Sequence, residues 1–111
     1  MEEMTVMMEQ TPFQKKNELL QELLRAAIEH FRNGEDILGM ESFLRGIDEL
    51  ERVVEIDQNS QQPKIEMKQL LPAMRELYFY VQNQDLTGIA DLLEDTVFPL
   101  ISHGFERRDY A

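Results

Sequence analysis

Residues 40–54 read MESFLRGIDELERVV, and their apolar side chains recur at alternating intervals of three and four, at Met40, Phe43, Ile47, Leu50 and Val54. An α-helix turns about 100° per residue, so this spacing gathers the five side chains into one stripe. Because such a stripe must be shielded from water, the pattern predicts an amphipathic helix that packs against other helices. Three further stretches with similar spacing predict three more helices.

Start and stop signals give the bounds of the four predicted helices. Thr11 is placed as an N-cap ahead of Pro12, and Gly34 as the C-terminal stop of the first helix. Asp85 is placed as the N-cap of the last. The helices are predicted over residues 12–33, 35–56, 63–83 and 86–102, with a polar loop over 57–62. Side chains expected to point inward include Leu19, Leu20, Leu24, Ile37, Leu44, Leu70, Leu71, Leu77, Tyr78, Ile89 and Leu93.

Glycines and prolines inside these helices carry further expectations. Gly39 and Gly46 lie seven residues apart on one flank, which predicts a neighbouring helix in close approach. Pro72 lies inside the third helix and Pro99 inside the fourth. Because proline removes one helical hydrogen bond, we expect kinks there, or a break at Pro72.

Short connections between the predicted helices favour antiparallel neighbours. The sequence therefore predicts an all-α fold, an antiparallel four-helix up-down bundle with proline-kinked third and fourth helices. Residues 11–102 are assigned to this domain, residues 1–10 to a flexible tail rich in Met and Glu, and residues 103–111 to a loose C-terminal tail. A pair of hairpins that completes its core by dimerising is the alternative.

The chain is acidic, with 22 acidic and 11 basic side chains and a formal net charge of −11. Such a surface repels phosphate backbones and anionic headgroups, so neither nucleic acid nor membrane is an expected partner. No cysteine is present, which excludes disulfides and thiolate metal sites and is compatible with a reducing cytosol. We expect a cytoplasmic protein.

Catalytic and metal motifs are not evident in the sequence. A di-iron bundle needs Glu-x-x-His on two helices, but Ala27 precedes His30 and Leu100 precedes His103 at that spacing. Ser102 beside His103 lacks the turn of a hydrolase nucleophile. We therefore assign no catalytic residue, no metal ligand and no cofactor, and expect a protein that is not an enzyme.

Two polar residues stand out on otherwise apolar helix flanks. His30 is interpreted as a packed structural histidine rather than a base. Glu51 falls between Leu44 and Ile47 on the helical wheel, where it either reaches water near the helix end or pairs with an arginine or Tyr78. A ligand pocket around His30, Glu51 and Tyr78 is one alternative function.

Aromatic and acidic residues supply the candidate partner-binding site. Phe79 and Phe98 are placed on the faces opposite the apolar stripes of their helices, and Tyr80 follows Phe79. Asp91 and Glu94 belong to a stretch without lysine or arginine, between Glu76 and Glu106. Exposed aromatic rings favour partner binding or self-association, and the carboxylates would suit a basic partner. The opposing interpretation is that proline kinks bury both phenylalanine rings and that the acids serve the helix dipole.

The apolar first helix ending Phe31-Arg-Asn-Gly-Glu35, with the helix that follows, resembles the small flagellar export chaperones. That resemblance covers roughly residues 15–56 and implies a helical bundle that holds an unassembled filament subunit in the cytoplasm. Residues 77–81, LYFYV, and 91–99, DLLEDTVFP, resemble parts of uncharacterised small helical proteins of Gram-positive bacteria. Neither resemblance assigns a functional residue.

The sequence thus favours a non-enzymatic cytoplasmic interaction module, chaperone-like or regulatory, that binds a protein partner or a second copy of itself through helix faces. An acidic mimic of nucleic acid is the third alternative, beside the ligand or metal binder.

Overall fold

The computed structural model describes residues 12–102, and every regular element in that range is a helix. The all-α prediction is confirmed for this part of the chain, whereas Thr11, His103 and the two predicted tails lie outside it. The helices are α1 (Pro12–Arg32), α2 (Asp36–Gln58), α3 (Met67–Gln82) and α4 (Leu86–Leu92). A π-helical turn (Leu93–Val97) follows α4 directly and leads into helical residues 98–102.

The two glycines of α2 face side chains of α1. A Cβ atom on Gly39 would lie 2.5 Å from the Phe31 ring, and one on Gly46 would lie 2.8 Å from a Leu24 methyl group. The close approach predicted from the spacing of the glycines is therefore observed. As α2 advances by seven residues from Gly39 to Gly46, its contacts on α1 move back by seven residues, from Phe31 to Leu24.

Two turns of the same geometry follow α1 and α3. The Glu35 N–H donates to the His30 carbonyl, and the Asp85 N–H donates to the Tyr80 carbonyl, at 2.8 and 2.9 Å. This is the Schellman pattern, which needs a left-handed residue just after the helix. Gly34 supplies it with φ 78°, as predicted, whereas Gln84 supplies it with φ 54°.

Asp85 begins α4 as the sequence predicted. Its carboxylate accepts a hydrogen bond from the Gly88 N–H at 2.9 Å. This helix packs on α1, where Arg32 reaches Asp91 at 2.9 Å, and on α3, where the Tyr80 ring covers Gly88. Beyond the π turn, Arg25 of α1 lies over the Phe98 ring at 5.0 Å.

Asp57 organises the connection between α2 and α3, and two predictions are wrong there. Instead of opening a polar loop, Asp57 lies in the last turn of α2 and is 2 % exposed. Its carboxylate accepts hydrogen bonds from the N–H groups of Lys64 and Ile65, both at 2.9 Å. Since these bonds hold 64–65 outside a helix, α3 begins at Met67 rather than at Pro63.

Neither proline breaks its helix. Pro72 is the sixth residue of α3, which continues without interruption to Gln82. Before Pro99, the Phe98 N–H donates to the Leu93 carbonyl five residues back, which defines the π turn. A wider turn relieves the steric conflict between a proline ring and the preceding carbonyls, so Pro99 accounts for its position.

Most of the core comes from the predicted stripes of the four helices, but Val53 and Ile101 are buried where Val54 and Leu100 were predicted. Its fully buried side chains include Leu20, Leu24, Val53, Leu70, Leu77, Ile89, Leu93 and Ile101. Several side chains predicted to point inward are instead exposed, and these predictions are wrong: Leu19, Ile37, Leu44, Leu71 and Tyr78. The last three lie on the sides of α2 and α3 that border the groove described next.

Candidate functional site

An apolar groove runs between α2 and α3. It has a volume of about 270 Å³ and is lined by Phe43, Leu44, Ile47, Met74, Leu77, Tyr78 and Val81. Phe43 and Leu77 form its floor, because both are buried in the core. The rims are more open: Leu44 is 58 % exposed and Tyr78 is 65 % exposed. Every lining residue is apolar or aromatic, so the groove is suited to an apolar side chain rather than to a charged ligand.

The groove exists because α2 and α3 each carry a second apolar stripe beside the one that forms the core. On α2 this stripe follows a 3-4 spacing through Ile37, Met40, Leu44, Ile47 and Val54, with Glu51 at the intervening position. On α3 it follows Met67, Leu71, Met74, Tyr78 and Val81. A 3-4 spacing presents one continuous strip to a partner helix. Parts of both strips pack against the core, and the side chains of the strips that stay exposed are Ile37, Leu44, Leu71 and Tyr78.

Wide apolar faces explain why the inward predictions failed at Leu44, Leu71 and Tyr78. The sequence pattern shows that these positions belong to an apolar side of the helix. It does not show how much of that side the four helices cover. The structure buries the half centred on Leu50 in α2 and Leu77 in α3, and covers the other half only in part.

Phe79 and Tyr80 are neighbours in sequence but differ in exposure. Phe79 is 60 % exposed and lies away from the core, whereas Tyr80 is half-buried against Gly88 of α4. Their rings contact each other edge to face, with centroids 6.0 Å apart. The Phe79 ring is therefore exposed to solvent, whereas much of the Tyr80 ring packs between α3 and α4.

Phe98 lies on a different side of the molecule. It is half-buried, and it lines a groove of about 300 Å³ with Arg25, Ile28, Glu29 and Glu94. The Arg25 guanidinium lies 5.0 Å from the centre of its ring, within cation–π distance. Thus Phe98 is on the α1–α4 side and does not join Phe79 in one surface patch.

Asp91 and Glu94 are exposed but already paired inside the chain. Arg32 contacts Asp91 at 2.9 Å and Glu94 at 2.6 Å. The hydrogen bond that Arg32 donates to Glu94, followed by the one that it donates to Asp91, raises the pKa of Arg32 above its ordinary value. A basic partner would therefore compete with Arg32 for these two carboxylates.

The residues of the alternative ligand pocket are spread over the molecule. His30 Nδ1 lies 2.6 Å from Glu35 Oε1, across the turn between α1 and α2. Tyr78 lines the apolar groove beside Leu44, and the exposed Glu51 lies about two turns further along α2. Among residues 12–102 no group of three His, Asp or Glu side chains is arranged to hold a metal ion.

Sequence reasoning missed two buried polar residues, Asp57 and Asn17. Asp57 also contacts the Gln58 side chain at 3.0 Å. The Asn17 side-chain oxygen accepts a hydrogen bond from Gln21, while its Nδ2 has no hydrogen-bond partner in the described part of the chain. The Asn17 position could have been found, because it lies three residues before Leu20 and seven before Leu24 on the inward side of α1.

Comparison with protein-family models, curated proteins and solved structures finds no match to this chain. The resemblance to flagellar export chaperones therefore stays a prediction. None of the helices between residues 12 and 102 combines the length and the apolar character needed to cross a membrane.

Proposed function

We propose that this protein is a non-catalytic interaction module that binds an amphipathic protein helix in the groove between α2 and α3. The observation that carries the proposal is the apolar groove itself, whose two rims expose more than half of Leu44 and of Tyr78. A helix with its own 3-4 stripe fills such a groove with side chains at i, i+3, i+4 and i+7. We place this activity in the cytoplasm, as the sequence predicts.

The proposal includes the up-down arrangement of all four helices. Contacts of α1 with the helical chain that continues α4 support it: Arg25 meets Phe98, and Arg32 meets Glu94. A step forward along α1 is therefore a step backward along that chain. Contacts of α2 with the chain that leads into α3 support it in the same way, since Asp57 meets Ile65 while Leu44 and Tyr78 line one groove. In this arrangement α2 and α3 form the two walls of one continuous face.

Burial of the exposed rims would supply the affinity. Leu44 and Tyr78 are each more than half exposed, and complete burial of a large apolar side chain contributes about 1.5–3 kcal/mol. Contacts of this type do not require a catalytic group, which is consistent with the spread of His30, Glu51 and Tyr78 described above.

Photo-crosslinking inside the native cell tests this function, with benzoylphenylalanine placed at Tyr78 or at Phe79. The two positions are adjacent on α3 and both exposed, but only Tyr78 lines the groove. We expect a covalent adduct with a polypeptide from position 78 and little or none from position 79.

Adducts from position 79 alone would contradict the groove and would place the interaction at Phe79, as the sequence first suggested. Failure of both positions to capture any polypeptide would contradict the interaction function itself.

A further inference from the structure

The two walls of the groove carry opposite charges. On α2, the exposed carboxylates of Glu41, Asp48 and Glu51 lie three, four and seven residues from Leu44. On α3, the exposed Lys68 and Arg75 lie three and four residues from Leu71. At about 100° per residue Glu41, Asp48, Lys68 and Arg75 border the two apolar strips on their solvent sides, whereas Glu51 lies within the strip of α2. The groove therefore has an acidic edge along α2 and a basic edge along α3.

The basic edge has no partner inside the chain. Neither Lys68 nor Arg75 forms an ion pair with another of residues 12–102, although Arg52 of α2 does. Of the acidic edge, Asp48 is paired with Arg52 at 3.2 Å. Lys68 and Arg75 thus remain available to carboxylates of another molecule.

We propose that the partner is the α2–α3 face of a second copy, whose amphipathic helices lie over the two walls of the groove and are related to them by a two-fold axis that runs along it. This inference rests on the proposed function and names its partner. A rotation about that axis places α3 of one copy over α2 of the other, so each acidic edge meets a basic edge. A two-fold interface requires a self-complementary surface of this kind. A two-fold axis across the groove would instead bring α2 against α2 and oppose like charges.

The register between α2 and α3 indicates which charges would meet. Asp57 contacts Ile65, and the residues around Leu44 lie level with those around Tyr78. By the same register, Glu51 lies level with Leu71, between Lys68 and Arg75. An axis parallel to the helices preserves these levels, so Glu51 of one copy approaches Lys68 and Arg75 of the other. This explains why a glutamate interrupts the apolar strip of α2.

The size of the face is compatible with a dimer. Eighteen residues of helix are about 27 Å long, and two helices side by side are about 20 Å wide, which gives roughly 500 Å² in projection. Accessible area exceeds projected area, and standard interfaces bury about 800 Å² per partner. The net charge of −11 on each copy opposes association. Pairing of the acidic and basic edges would offset this repulsion and select one orientation of the two copies.

Mass measurement by light scattering after size exclusion tests the dimer, with charge reversals on the two edges. We expect the full chain to have twice its single-chain mass at tens of micromolar. Two variants should each raise the dissociation constant at least about tenfold: the single variant Glu51→Arg and the double variant Lys68→Glu with Arg75→Glu. In each of them like charges face each other across the interface. Mixing the two variants should restore a dimer that contains one chain of each. Glu22→Arg, the same change on exposed α1, should leave the dimer intact.

Two outcomes would overturn the inference. One is that the unmodified protein keeps its single-chain mass at protein concentrations up to hundreds of micromolar. In that case, crosslinking of a different polypeptide at position 78 would still support the proposed function, with another partner. The other is a dimer that survives Glu51→Arg and Leu44→Glu unchanged while circular dichroism shows native helicity, because that dimer would use another surface.

Discussion

At the residue scale, Asp57 is the polar group on which the α2–α3 connection most depends. It is buried, and it accepts backbone hydrogen bonds from Lys64 and Ile65. A buried carboxylate is costly unless such donors satisfy it. Those donors lie seven and eight residues further along the chain, beyond the reach of helical periodicity. The sequence therefore predicted a solvated loop where the structure has an anchored one.

Replacing Asp57 with asparagine should lower the free energy of unfolding by about 1–3 kcal/mol, because one acceptor and its negative charge are lost while the backbone donors stay buried. Urea denaturation measures the change. Ser60→Ala is the matched control: its hydroxyl donates to the Asp57 carbonyl at 2.6 Å from an exposed position, so we expect a smaller effect. Equal losses in both variants would show that the carboxylate is not the anchor.

Gln84 makes a second prediction at this scale. It has φ 54° in a turn of the same geometry as the one at Gly34. A side chain in the left-handed region costs roughly 1–2 kcal/mol, partly offset by the greater freedom of glycine in the unfolded chain. We expect Gln84→Gly to raise the free energy of unfolding by about 0.5–1 kcal/mol. Gly34→Gln should lower it, although open space surrounds Gly34. The two thermal melts should shift in opposite directions, and a shift in the same direction would refute the argument.

At the scale of the element, the contact between α1 and α2 depends on the glycines of α2. Gly39 faces the ring of Phe31, whereas Gly46 faces the end of the more flexible Leu24 side chain. Glycine in a helix costs up to about 1 kcal/mol relative to alanine. Packing of α1 against α2 offsets that cost only where α1 lies so close that a Cβ atom would not fit.

Gly39→Ala should therefore lower the free energy of unfolding by about 1–2 kcal/mol, since overpacking exceeds the gain in helix propensity. Gly46→Ala should change it by less than about 0.5 kcal/mol, because the Leu24 methyl group can move. Chemical denaturation of both variants measures the difference. If Gly39→Ala proved the more stable of the two, the Phe31 contact would not limit the approach of α1.

Features that depend only on neighbouring residues could be predicted from the sequence, whereas features that depend on distant packing could not. Local signals located Gly34 and Asp85 correctly, because capping involves only neighbouring residues. The exposure of Leu44 and Tyr78 was missed, because an apolar strip looks the same in sequence whether its own chain or another molecule covers it. For the same reason, the sequence does not distinguish the residues that line the candidate groove from those of the core.

At the scale of the whole molecule, four helices provide more apolar surface than they cover. The core stripes close around Leu77 and its neighbours, while the strips through Leu44 and Tyr78 border an open groove with one acidic and one basic edge. Phe79 and the Asp91–Glu94 pair lie outside that groove. Their part in binding stays a prediction, which the crosslinking at position 79 tests for the aromatic residue.

Hydroxyl-radical footprinting read by mass spectrometry measures the openness of the groove most directly. In dilute protein, the account predicts that Tyr78 and Leu44 are oxidised readily while Leu77, one residue away on α3, is protected. As the concentration rises, protection should spread to Tyr78 and Leu44 and leave Phe79 reactive. If Tyr78 and Leu44 were as protected as Leu77 even at the lowest concentration, α2 and α3 would be packed against each other and the groove would not exist.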